Sequence, residues 1–108
     1  MKKFTPNNMQ NMMKQVQKLQ KEMMEKKDQV ENELFEGTSG GGVVRVTVSG
    51  KKEVTKITID KEVVDPEDIE TLEDLLIAAI NDAMKEADKK MESSMGQFSQ
   101  GLGIPGLF

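Results

Sequence analysis

Three groups of residues in this chain are of types that could do chemistry. Asp60, Glu62, Asp65, Glu67 and Asp68 bring together the hard oxygen donors that a divalent cation prefers. The stretch Gly37-Thr38-Ser39-Gly40-Gly41-Gly42 has the side-chain-poor backbone from which phosphate-cradling loops are made. Lys14, Lys18 and Lys21 recur at helical spacing, which sets three ammonium groups along one stripe of a helix. Each group also has an ordinary reading. The acids surround Pro66 at what reads as a turn and a helix start, where carboxylates favour folding through the positive end of the helix dipole. The glycines lack the G-x-x-x-x-G-K-[ST] spacing and lead into a strand, so they read as a hairpin connection. The ordinary reading of the lysines is a solvated charged face.

Composition removes most catalytic readings. The chain has no Cys, so no thiolate nucleophile or zinc-thiolate site, and no His, the usual general base near neutral pH. We therefore expect no enzymatic activity, no cofactor, no metal and no small-molecule substrate. MKKFTPNNMQ carries two lysines without a following apolar run, so it does not read as a signal peptide. No run approaches the roughly 18 apolar residues of a membrane span. The expectation is a cytoplasmic protein with no membrane partner.

The lysines carry more information than their number suggests. Net charge is −4, yet five of the fifteen basic residues and none of the nineteen acids fall in residues 1–21. The remainder holds ten bases against nineteen acids, a local balance of −9. Folding alone would place acids, not lysines, early in a helix, because the dipole is positive there. Lysines beside free backbone N–H groups suit anions, phosphates above all.

The elements that must hold these residues follow from periodicity. Asn7 and Asn8 are candidate N-caps for a first helix over about residues 8–32. Within it Met9, Met12, Val16, Leu19 and Met23 step by three and four, a coiled-coil-like seam that Lys26 interrupts. Such a helix is roughly 35–40 Å long, more than a domain this small can cover, so part of it projects or packs on another chain. Five of the nine methionines lie in it, which favours an adaptable interchain seam.

Residues 31–36 read as a first short strand and the glycines as a loop. Val44, Val46 and Val48 alternate with Arg45 and Thr47, and Ile57 and Ile59 alternate with Lys56 and Thr58. Three strands in sequence predict an antiparallel meander with helix on its apolar face. A second helix is predicted to begin with Asp65 as N-cap, Pro66 at its first position and Asp68 as the capping-box acid. Its stripe is Ile69, Leu72, Leu76, Ala79, Ile80, Ala83 and Ala87, continuing to Met91. From Gly96 on, the tail reads as too Gly-rich to be helical. We expect one α+β domain over residues 1–95 and a flexible tail over 96–108.

Taken in order, these pieces resemble the YbaB/EbfC family of bacterial nucleoid-associated DNA-binding proteins over about residues 8–108. The pieces are MQNMMKQVQKLQ (9–20), EGTSGGGVV (36–44), VTVSG (46–50), ITID (57–60), LEDL (72–75), AINDA (79–83) and GLGIPGLF (101–108). The resemblance implies an α-β-β-β-α fold, an intertwined homodimer with helices projecting like tweezers, double-stranded DNA as partner, and a place in the nucleoid. It suggests helix-borne basic residues as DNA contacts. Lys14, Lys18 and Lys21 match that description, with Lys85, Lys89 and Lys90 on the second helix as secondary candidates. The last three are interleaved with Glu86, Asp88 and Glu92, which pairs much of their charge. The expected dimer interface is Met9, Met12, Val16, Leu19, Met23, Val44, Val46, Val48, Ile57 and Ile59. A second reading keeps the Met-rich helix as a grip for another protein and makes DNA binding incidental.

Overall fold

The computed structural model describes residues 6–102, and the side chains of residues 9–98. A long helix α1 (Pro6–Glu31) is followed by strands β1 (Leu34–Ser39), β2 (Val44–Ser49) and β3 (Val54–Ile59). A 3₁₀ turn (Lys61–Val63) then leads to a second long helix α2 (Ile69–Leu102). The sheet is an antiparallel meander in the order β1-β2-β3. The α-β-β-β-α order and the α+β class are those expected from the sequence.

Valine alternation decides the register. Val44, Val46 and Val48 are fully buried and pair across the sheet with Ile59, Ile57 and Val54, while Arg45 and Thr47 point to the open face. An extra residue, Thr55, bulges β3 where Thr47 pairs with Lys56 and Val48 with Val54. Helix α2 lies over β1 and β2 through Ala79, Ala83 and Ala87, all buried. Alanines let the helix backbone sit low on the sheet, so the core is thin but close-packed.

Four sequence expectations are corrected. The first strand starts at Leu34 and runs through Gly37 to Ser39, so half of the expected glycine loop is strand. The reason is steric: a Cβ at Gly37 would overlap the Ala79 carbonyl oxygen and the Ala83 backbone nitrogen, so glycine admits α2 at this point. Within that stretch the following Gly40, Gly41 and Gly42 take positive φ, as a turn demands. Helix α1 begins at Pro6, which puts Asn7 and Asn8 inside it and not at a cap.

Helix α2 begins at Ile69, later than expected. Asp65 and Pro66 make a separate turn, in which the Glu67 N–H donates to the Asp65 carboxylate (3.0 Å) and the Asp68 N–H to the Asp65 carbonyl (2.9 Å). Asp68 is the true cap: its carboxylate accepts from the Thr71 N–H (3.3 Å) and the Thr71 hydroxyl (2.6 Å). Finally, α2 does not stop at Gly96 but reaches Leu102. A helical glycine costs about 1 kcal/mol, which flanking residues offset. Among the residues that follow it, Phe98 is half-buried and lines a wide groove with Glu22 and Lys26 of α1. Residues 103–108 of the expected tail lie outside the described residues.

Candidate nucleic-acid interface

Between Gln10 and Glu36 there is neither Gly nor Pro, and the first helix is rich in Gln, Lys, Met and Glu, all good helix formers. Among the described residues the helix is anchored in its C-terminal half. Val30 is fully buried, and Gly50 in the β2–β3 turn packs so near the Val30 carbonyl that a side chain there would collide with it. The Gly50 N–H donates to the Glu33 carbonyl (3.1 Å), tying the end of α1 to that turn. From this anchor α1 runs antiparallel along the end of α2 and then past it, which helps to make the molecule 81 Å long and 23 Å by 16 Å across.

Two faces of this arm differ in chemistry. Lys14, Lys18 and Lys21 are exposed, at i, i+4 and i+7, on one stripe. The seam of Met9, Met12, Val16, Leu19 and Met23 lies on the opposite side of the helix. Its basal members, Leu19 and Met23, are half-buried, whereas Met9, Met12 and Val16 near the tip are more than half exposed. Lys26, at the break in the seam, is half-buried and lines the same groove as Phe98. Beyond Lys21 the lysine stripe changes sign at Glu25 and Asp28. The basic part is thus confined to the projecting half of the arm.

Among the described residues the ion pairs are Lys52 with Asp88 and Lys89 with Glu86 (3.6 Å); none engages an α1 lysine. The secondary lysines do not act alike. Lys85 and Lys89, one turn apart, are exposed on the outer face of α2. Lys90 is half-buried and falls on the inward stripe with Ala83, Ala87 and Ser94, so it does not share their face.

The expected interface residues of the sheet also separate. Val44, Val46 and Val48 fill the chain's own core with no accessible surface left, so they offer nothing to a second chain. Alternation marked them as buried but could not tell which helix buries them. Ile57 remains 45% exposed and Ile59 is half-buried, because α2 covers β1 and β2 but not β3. Val54 and, at 57% exposure, Ile77 of α2 are also bare. Sequence reading missed both: the bulge at Thr55 breaks the alternation before Val54, and Ile77 lies beside the main stripe of α2. The other face of the sheet is polar, with Glu36, Arg45, Thr47, Lys56 and Thr58 lining a shallow depression.

Asp65 and Asp68 hold the turn and the cap at the α2 entry, and among the described residues no three acids converge where a metal could sit. No described helix is long and apolar enough to cross a membrane.

Comparison with known proteins agrees with the fold. The model of the YbaB/EbfC DNA-binding family matches residues 5–102. A nucleoid-associated protein of Oceanobacillus iheyensis is 52% identical over 101 residues, covering 94% of this chain and 97% of the relative. One of Clostridium acetobutylicum is 50% identical over 100 residues, covering 93% and 89%. The crystal structure of an uncharacterized protein from Helicobacter pylori superposes with a TM-score of 0.67 at 21% identity, over 88% of this chain and 97% of that one.

Proposed function

For a chain that belongs to the YbaB/EbfC DNA-binding family, we propose a nucleoid-associated protein that binds double-stranded DNA as a homodimer and organises the nucleoid without catalysis. The observation that carries the reading is the two-faced arm, with an exposed lysine row opposite an exposed apolar seam. Paired seams from two chains bury Met9, Met12 and Val16 and hold the lysines outward. The exposed Val54 and Ile57 of β3 and Ile77 of α2 supply further apolar surface for the same association.

The chemistry sets the mode of binding. Lys14, Lys18 and Lys21 act as point charges on phosphates, releasing condensed counterions. Neither helix carries an arginine, and Arg45, the only one in the chain, lies on the sheet, so bidentate readout of guanine from the helices is absent. The acidic body adds a weak, screened repulsion of the same phosphates that limits affinity. Binding therefore involves little direct base readout and is steeply salt-dependent.

Fluorescence anisotropy with unrelated duplexes of equal length tests this. Similar affinities that fall together as salt rises support the reading; no binding at low salt overturns it. The bare seam also favours one other reading, a grip for a different protein. A stoichiometric protein partner that survives nuclease treatment of a lysate would favour that alternative.

A further inference from the structure

The open face of the sheet carries a cationic group that the arm does not account for. Alternation turns Arg45 and Thr47 of β2 and Lys56 and Thr58 of β3 to that face, where they line one depression with Glu36 of β1. The register sets Arg45 directly across from Thr58, and Thr47 across from Lys56. The four form a quadrilateral with the two cations on one diagonal, about 7–8 Å apart at the backbone, and the two threonines on the other. A sheet face built for folding alone gains most from opposite charges set directly across from each other. Here Glu36 stands across from Thr47, and each cation stands across from a threonine. Among the described residues neither Arg45 nor Lys56 has an ion-pair partner. The threonines are half-buried between their long side chains. The one aromatic residue of the sheet, Phe35, packs on the opposite face against the core, so the open face has no platform on which a base could stack.

We propose that Arg45, Thr47, Lys56 and Thr58 form a second phosphate-binding site, which takes a phosphate of the duplex backbone apart from those met by the arm. The planar fork of Arg45 matches two phosphate oxygens, and Lys56 adds a point charge from the other corner. The threonine hydroxyls donate to the oxygens that remain. Backbone N–H groups of β2 are engaged in the ladder on both sides, so the side chains alone make the contact. Glu36 on the rim opposes the anion and keeps this site weaker than the lysine row. The site lies within one chain and does not depend on how two chains associate. It does rest on the reading of duplex DNA as partner.

Anisotropy of a labelled duplex across salt concentrations tests the site, with circular dichroism to show that each variant keeps its fold. Arg45→Gln with Lys56→Gln should weaken binding roughly tenfold at low salt and flatten the log–log slope by about 0.9, the value of one phosphate contact. Arg45→Lys keeps the charge and loses the fork, so affinity should fall while the slope holds. Glu36→Gln should bind more tightly, because it removes the one carboxylate that lines the depression. Added to the Gln variant of Lys14, Lys18 and Lys21, R45Q/K56Q should abolish the binding that remains. Unchanged affinity and slope in folded R45Q/K56Q, no gain in E36Q, or no loss in R45K would each overturn the proposal. A wild-type protein that binds no duplex at low salt overturns the functional reading first. Loss confined to the arm variant leaves that reading standing and removes only the sheet site.

Discussion

Gly37 lacks a side chain because α2 passes through the space that a Cβ would take, between the Ala79 carbonyl and the Ala83 amide. Backbone on both sides cannot yield as a flexible side chain would. Gly37→Ala should therefore cost about 3 kcal/mol in chemical denaturation, the upper range for overpacking. A cost below about 0.5 kcal/mol, within the noise of surface changes, would mean that α2 does not sit where described. Asp68 offers a milder check, since it accepts from both the amide and the hydroxyl of Thr71. Asp68→Ala should lose about 1 kcal/mol, and more than Asp65→Ala, whose carboxylate holds only the preceding turn. The reverse order would restore Asp65 as the cap, as its neighbour Pro66 suggests from sequence. Pro66 misleads because proline suits the second position of a turn as well as the first position of a helix.

At the scale of elements, strands were legible where side chains alternate and illegible where backbone geometry decides. Val44, Val46 and Val48 marked β2 and its buried face directly. Gly37 looked like loop, because nothing local signals that a helix will cross it. The end of α2 follows the same rule: glycine counts against helix locally, whereas the helix runs through Gly96 to Leu102 with Phe98 half-buried past that glycine. The same division runs through the candidate site. Spacing alone put Lys14, Lys18 and Lys21 on one exposed stripe. It could not show that Lys90 turns inward, or that α2 uses up the valines expected at an interface and leaves Val54, Ile57 and Ile77 bare. The seam of α1 carries its own prediction. Met12→Asp with Val16→Asp places two charges on the exposed apolar face without touching the core. Light scattering should show a shift from dimer towards monomer, while circular dichroism keeps the sheet and α2 signals. A dimer unaffected by both charges would move the interface to the other exposed apolar residues, Val54, Ile57 and Ile77.

Over the whole molecule, shape and charge act together. An 81 Å particle with Lys14 and Lys18 towards the projecting end of an arm places most of its acidic body beyond the roughly 8 Å screening length at physiological salt, with Glu22 and Glu25 the nearest acids along the same helix. This is why a net charge of −4 does not forbid a polyanionic partner. Local charge within a Debye length governs the contact, and the body contributes only a weak, screened repulsion. It also follows that the lysine row must dominate the salt dependence, because each phosphate contact releases its own counterions. Lys85 and Lys89, on the outer face of α2 with Glu86 nearby, should contribute little.

The most direct measurement is the salt slope of duplex DNA affinity for the wild type, for Lys14, Lys18 and Lys21 changed together to Gln, and for Lys85 and Lys89 changed to Gln as a control. We expect the arm variant to lose most of its affinity at low salt, and its log–log slope to flatten by nearly one for each phosphate contact removed. The control should keep a slope close to wild type. An unchanged slope in the arm variant, with the dimer intact, would contradict the assignment of the lysine row as the DNA-contacting surface.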